Sequence, residues 1–327
     1  MPIVPVRWGI VSTADINRKF LAGAREARGA QVVAVASRNL AVARDYAAAH
    51  GIEHAYDSYD ALLADPGIEA LYIPLPNSLH IEWTVRALRA GKHVLCEKPL
   101  SRRAAEVEHA FDVADREGRL LMEGFMYRHN PQTGRVLELL ADGAVGRVRM
   151  IRAAFSFVAG DPANVRLSAA LDGGALMDVG CYCVSTARLI AGEPVRVGAE
   201  QVLGGDGVDI AFAATLRFPG EVLAHIDTGF VLAERDELEV VGDEGSLFLD
   251  DPWHCLEPVI ELRREDGVRR IELTPVNSYR LEVENLSAAI RGEAPPLLGR
   301  DDALGQARAI EALYAAAERG ETVALGS

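Results

Sequence analysis

Apolar residues recur along this chain in two rhythms, and the change between them falls near residue 125. In the first part, short and nearly unbroken apolar runs return at Arg7–Val11, Val32–Ala36, Ala70–Pro76, Val94–Cys96 and Leu120–Glu123. Such runs suit parallel strands covered on both faces, where alternation is not required. Between them the spacing is helical: from about Asn17 to Arg28, Leu40 to His50, Ala61 to Leu63, Ile81 to Ala90 with Gly91 as its stop, and Ala104 to Glu117. A further short strand is expected at His54–Tyr56. Strands alternating with helices of roughly 10–15 residues predict βαβ units, hence a doubly wound parallel sheet over residues 1–125.

Beyond that point the strands follow one another. They are expected at Arg147–Phe157, Val195–Leu203, Ile210–Phe218, Val222–Thr228, Asp236–Gly242, Ser246–Asp250 and Val259–Arg264. Phe218-Pro219-Gly220 and Gly242-Asp243-Glu244-Gly245 supply turn signals between them. The pattern predicts an α+β domain over residues 126–327 with a large, mostly antiparallel open sheet. Helices at Gly180–Ile190, Tyr279–Arg291 and Asp301–Arg319 would cover one face. The uncovered face would be an association surface, so a homodimer or homotetramer through this sheet is expected. The whole is of the α/β class.

Composition narrows the partners. A chain of 327 residues, 49% hydrophobic and 25% charged, has the size and balance of a two-domain globular protein. A formal charge of −14 opposes nucleic acid or an anionic membrane as the main partner. The four cysteines, at 96, 181, 183 and 255, include no C-x-x-C pair, so reduced thiols and no metal site are expected. Strand-like sequence from Val4 to Val11 leaves no room for a signal peptide, and no apolar run is long enough to cross a bilayer. A cytoplasmic protein is expected.

Candidate chemistry gathers at a few places. Pro99 cannot donate to a ladder, so the strand Val94–Cys96 ends there and leaves Glu97 and Lys98 at its carboxyl end. Open α/β sheets bind ligands at that end. After the first strand, Ser12, Thr13, Ala14 and Ile16 stand where a dinucleotide fold carries G-x-G-x-x-G. The fingerprint is degenerate, with Ser12, Ala14 and Asn17 in the glycine places, although small residues still permit close approach. After the second strand, Ser37-Arg38-Asn39 replaces the acid that accepts the ribose hydroxyls of NAD. A hydroxyl and a guanidinium suit a 2′-phosphate, so NADP is expected over NAD, with NAD a possible alternative. Further on, Asp178 and Tyr182 are four apart at the start of a helix and project from one face. A tyrosine beside an ammonium can exchange a proton with a substrate hydroxyl or carbonyl.

These segments resemble the glucose–fructose oxidoreductase / inositol dehydrogenase / rhizopine catabolism (Gfo/Idh/MocA) family. The resemblance rests on Glu97-Lys98-Pro99, Tyr72-Ile73-Pro74-Leu75-Pro76-Asn77-Ser78-Leu79-His80, Glu123-Gly124-Phe125-Met126-Tyr127-Arg128, Asn164-Val165-Arg166-Leu167 and the Asp178–Tyr182 helix. It is nearest to the branch of dimeric dihydrodiol dehydrogenase and NADP-dependent D-xylose dehydrogenase, where tyrosine stands in place of histidine, here Tyr182. It implies a Rossmann domain followed by a substrate domain. It also implies hydride transfer between nicotinamide and a sugar or cyclic polyol, with Tyr182 as acid/base. Lys98 would hydrogen-bond the reacting oxygen and favour loss of the Tyr182 proton, and Asp178 would orient them. Pro74, Leu75, Pro76, Asn77 and His80 would line the cofactor, with Glu97 beside the nicotinamide ribose. Met126, Arg166, Trp253 and Tyr279 would border the substrate, and the Lys98–Pro99 peptide would be cis. Two rivals share the fold: an NAD-dependent glycosidase working by transient oxidation, and a catalytically silent dinucleotide or sugar sensor.

Overall fold

A computed structural model of the chain describes residues 3–161 and 163–326. The first part alternates strand and helix: β1 (Val6–Val11), α1 (Asn17–Glu26), β2 (Ala30–Ala36), α2 (Leu40–His50), β3 (His54–Tyr56), α3 (Tyr59–Ala64), β4 (Ala70–Ile73), α4 (His80–Arg89), β5 (His93–Glu97), α5 (Ala104–Glu117) and β6 (Leu121–Gly124). The six strands make one sheet in the order β3-β2-β1-β4-β5-β6, every pairing parallel. Local chemistry explains the boundaries. Asn39 caps α2 by accepting from Ala41 N and Val42 N, and Gly51 ends that helix in the left-handed region at φ 68°. Ser58 caps α3 in the same way.

The chain continues with α6 (Pro131–Ala141), β7 (Val148–Val158), a π-helical turn (Leu176–Gly180), α7 (Cys181–Ala191), β8 (Arg196–Leu203), β9 (Asp209–Arg217), β10 (Leu223–Gly229), β11 (Val231–Gly242), β12 (Ser246–Leu249), β13 (Val259–Arg264), β14 (Gly267–Glu272), α8 (Ser278–Ile290), α9 (Arg300–Arg319) and β15 (Val323–Ala324). Nine strands form the second sheet, ordered β14-β13-β12-β11-β7-β10-β9-β8-β15. Only β7 and β10 run parallel; the other pairings are antiparallel. Burial alternates along β9 and β10, so Phe212, Ala214, Leu216, Ala224 and Ile226 enter the core. Ala213, Thr215 and His225 stand exposed on the opposite face. The fold class read from the chain holds: a parallel Rossmann sheet and a mostly antiparallel open sheet.

Several details depart from the sequence expectation. Helix α6 and strands β14 and β15 carried no periodicity strong enough to be read. Pro131 opens α6, with the Asn130 side chain accepting from Gln132 N at 2.9 Å. The largest difference concerns α8, expected to cover the second sheet. The molecule divides into two compact units, and residues 277–304 cluster with residues 1–101 and 105–126 rather than with residues 127–276. Sequence adjacency places α8 with 126–327; packing places it on the first sheet. Gly23 of α1 explains the fit, because a Cβ there would lie 2.5 Å from Arg280 N and 2.7 Å from the Tyr279 Cβ. Two helices approach that closely only over a residue without a side chain. Trp8, fully buried in β1, donates through Nε1 to Ser287 Oγ of α8 at 3.1 Å.

Candidate active site

In the first unit the degenerate fingerprint still makes the glycine turn. Ser12 has φ 101°, in the region that favours glycine, and its peptide N donates to Ala36 O at 3.1 Å. The Asn17 side chain closes the turn by donating to Ser12 O at 2.9 Å. Positive φ at a serine is a costly conformation retained where the surroundings impose it, often at a ligand site. Ser12 Oγ is buried without a hydrogen-bond partner, so a donor or acceptor aimed at this turn would find one waiting. The turn fits a dinucleotide pyrophosphate at the start of α1. Thr13, Ala14 and Ile16 are half-buried beside it.

At the end of β2, Arg38 is exposed and pairs with no carboxylate among the described residues. Ser37 is half-buried, and its Oγ accepts from Asn39 N at 3.4 Å. Asn39 was expected to contact cofactor. Its side-chain oxygen is instead engaged in capping α2.

The Glu97-Lys98-Pro99 loop leaves β5 with a cis Lys98–Pro99 peptide and is held from three sides. Tyr72 of β4, itself stacked on Phe20 at 3.8 Å, donates its hydroxyl to Glu97 Oε1 at 2.5 Å. The His80 ring approaches Pro99 O at 2.8 Å through Nδ1 and Leu75 O at 2.7 Å through Nε2. Buried Glu123 of β6 accepts from Leu100 N at 2.7 Å. Gly124 lets β6 lie close, since a Cβ there would sit 3.3 Å from Glu97 Cα. His80 is therefore corrected from a lining residue to a brace, because a ring only 1% exposed and committed to two carbonyls has no face left for a ligand. Pro74 and Leu75 are likewise buried, which leaves Pro76 and Asn77, both half-buried, as the lining candidates on that loop. Lys98 is half-buried at the loop's tip.

In the second unit, Asp178 lies in the π-helical turn and Tyr182 in the first turn of α7. A regular helix was expected over both. The π turn re-aims side chains at the entry of a helix and recurs at functional sites. Gly174 makes the approach possible at φ 124°, with its N donating to Arg166 O at 2.9 Å. Arg166 Nε donates to Asp178 Oδ2 at 2.5 Å, so two of the expected site residues meet. Behind the turn, buried Asp209 accepts from Leu176 N at 2.7 Å and from the Tyr314 hydroxyl at 2.8 Å. Burial pushes the Asp209 carboxyl up to about 6 despite those bonds.

Tyr182, 7% exposed, belongs to an aromatic cluster with Phe155 at 5.6 Å, Tyr127 at 5.8 Å and Trp253 at 6.0 Å between ring centroids. Trp253 corrects an expectation. It is 0% exposed, stacks on Phe155 and donates through Nε1 to Thr186 Oγ1 at 2.9 Å, so it packs behind Tyr182 and borders no substrate. Tyr279 is corrected too, because it sits buried in the first unit against Gly23, where Glu97 and Glu282 raise its phenol pKa after burial itself. Met126 is buried at the end of the first unit. No metal site was expected; the structure does bring Asp236, Asp251 and His254 together. Asp251 is already engaged by the amides of Cys255, Leu256 and Glu257, and Asp236 by the His254 ring at 2.6 Å, which marks the cluster as a brace for that turn. Sequence reasoning quoted Tyr72 and Glu123 for the resemblance but gave them no role, because their apolar neighbours make them look like core positions.

A parallel sheet of this order, with a tight positive-φ turn after β1 and a braced loop after β5, defines a dinucleotide-binding protein of the Rossmann class. Residues 6–125 match the family model for the oxidoreductase family, NAD-binding Rossmann fold, and residues 134–248 match that for the GFO/IDH/MocA C-terminal domain. The chain is 39% identical to D-xylose 1-dehydrogenase (NADP(+)) 2 of Haloferax volcanii, over 97% of its own length and 99% of the relative's. It superposes with TM-score 0.90 and 33% identity on a 3-ketoreductase from Actinomadura kijaniata in complex with NADP and TDP-benzene, covering 95% and 98% of the two chains. It also superposes with TM-score 0.91 and 29% identity on an aldose-aldose oxidoreductase from Caulobacter crescentus complexed with glycerol, covering 98% and 100%. The chain belongs to the Gfo/Idh/MocA family of NAD(P)-binding oxidoreductases.

Proposed function

We propose that this protein is an NADP-dependent dehydrogenase or reductase acting on a CH–OH group of a sugar or cyclic polyol. The observation that carries it is the bracing of the Glu97-Lys98-Pro99 loop by Tyr72, His80 and Glu123, which holds an ammonium rigidly where a Rossmann sheet takes its ligand. Arg38, without an acid partner among the described residues, supports NADP over NAD. Two relatives, the D-xylose 1-dehydrogenase (NADP(+)) 2 of Haloferax volcanii and the 3-ketoreductase of Actinomadura kijaniata in complex with NADP, are consistent with both halves.

The dinucleotide, when bound, supplies the hydride acceptor or donor at C4 of its nicotinamide. In oxidation Tyr182 takes the proton of the substrate hydroxyl, and in reduction it returns one to the carbonyl oxygen. Lys98 donates a hydrogen bond to that same oxygen, and Asp178, held by Arg166, orients the phenol. Arg166, 42% exposed on its side chain, borders the substrate. The exposed face of the second sheet serves a homodimer or homotetramer.

The test is a panel of aldoses, cyclitols, ketosugars and trans-dihydrodiols, assayed with NADP(H) and NAD(H) in both directions. Lys98→Met and Tyr182→Phe are each expected to abolish turnover while sparing NADPH binding. Undiminished rates in either variant would reject the assignment. Sugar released with no net change in nicotinamide absorbance would point to the glycosidase, and binding without turnover across the panel to the sensor.

A further inference from the structure

Arg102 and Tyr314 take no part in the proposed chemistry, yet both lead to the turn that carries Asp178. The guanidinium carbon of Arg102 stands 4.1 Å over the centre of the Tyr314 ring in α9. Its Nε lies 3.5 Å from Oδ1 of Asp172, and both side chains are half-buried. The buried Tyr314 hydroxyl donates to Asp209 Oδ1 at 2.8 Å, and Asp209 Oδ2 accepts from Leu176 N at 2.7 Å. A cation over the ring favours the phenolate form, so it makes the phenol a stronger donor to Asp209. All of these residues belong to the second unit.

The segment they hold is short and shaped to receive them. Asp172 adopts the left-handed region at φ 57° and leads into Gly173-Gly174. A Cβ on Gly174 would overlap Asp209 Oδ1 and stand 2.9 Å from the Tyr314 hydroxyl, so a glycine is needed for the approach. Asp178 N donates back to Gly174 O at 3.0 Å, which joins the held segment to the π turn. We infer that Arg102 and Tyr314 are positioning residues for Asp178 and Tyr182: through Asp172 and Asp209 they fix the backbone of residues 172–176, and that backbone sets where the π turn aims both side chains. This inference rests on the proposed role of Tyr182 as acid/base.

The test uses the full chain labelled with 3-fluorotyrosine, together with Tyr314→Phe and Arg102→Met. The fluorine resonances of Tyr182 and Tyr72 are identified by their loss in Tyr182→Phe and Tyr72→Phe. Both positioning variants are expected to shift or broaden the Tyr182 resonance and to leave that of Tyr72, in the first unit, in place. A Tyr182 resonance unmoved in either variant overturns the inference, and one that moves only together with Tyr72 reduces the effect to general destabilisation and overturns it too. Kinetics with the substrate turned over fastest in the panel supply the second readout. In each variant kcat should fall by up to roughly a hundredfold, the scale of a small misplacement, while the KM for NADPH holds. An unchanged kcat, or a loss confined to KM, overturns the inference. Because both residues act through one segment, the double variant should lose no more than the worse single one, whereas additive losses would mean separate actions and reject the shared route. A wild type that turns over nothing in the panel would end the dehydrogenase reading, while the fluorine resonances still decide whether Arg102 and Tyr314 position Tyr182.

Discussion

Single side chains in the first unit divide into those that meet solvent and those that hold others in place. Arg38 belongs to the first kind. Among the described residues its guanidinium faces no carboxylate, so Arg38→Ala is expected to weaken NADPH binding tens-fold, the scale of a charge-assisted hydrogen bond, and to leave NADH binding unchanged. Parallel titrations of both cofactors check this, and a loss shared equally by NADH would remove the 2′-phosphate from the account. His80 belongs to the second kind. His80→Ala strands two buried carbonyls, Leu75 O and Pro99 O, at a cost of about 2–5 kcal/mol. Denaturant unfolding should register that loss, and a midpoint within error of wild type would mean the brace is dispensable. Arg38 is visible in the sequence because charge at a strand end is informative alone. His80 was read as a ligand contact, since a histidine's partners are backbone atoms that no pattern announces.

Among the elements, the π turn and α7 depend on a residue far along the chain. Asp209, at the head of β9, accepts from Leu176 N and from Tyr314, and its carboxyl is raised from 3.8 to about 6 by burial. The folded state thus retains a proton that the unfolded chain has released between those values. Stability from this group is complete below about 4 and is lost as pH rises through about 6, by up to roughly 3 kcal/mol. Asp209→Asn cannot titrate, so its melting temperature should fall less than the wild type's between pH 4 and pH 7. Equal slopes in both proteins would place the titrating group elsewhere. Periodicity located α7 but not the π turn before it. The irregularity comes from Gly174 and Asp209, which meet only after the sheet has formed.

For the molecule as a whole, two features escape the order of residues along the chain. The second sheet leaves one face exposed, with Ala213, Thr215 and His225 on adjacent strands β9 and β10. Short side chains such as Ala213 and Thr215 on that face suit close contact with a second copy. Ala213→Arg is therefore expected to shift the protein to monomer by light scattering. An unchanged mass, or a monomeric wild type, would rule that face out. The second feature is the return of the chain: α8 docks on α1 and buries Trp8 beneath Ser287, so the first unit is completed by residues 277–304.

Local patterning was enough to place the strands of the parallel sheet, most strands of the open sheet, the carboxyl end of β5 and the Asp178–Tyr182 spacing. Each of these follows from neighbours a few residues apart, through apolar rhythm, caps and proline. Periodicity could not say which sheet α8 joins, that Ser12 adopts a glycine's backbone, that Trp253 lies in the core, or that the Tyr72 hydroxyl holds Glu97. Those outcomes depend on contacts between residues tens to hundreds of positions apart. The free energy of burying a group depends on what stands opposite it, and only the folded chain supplies that.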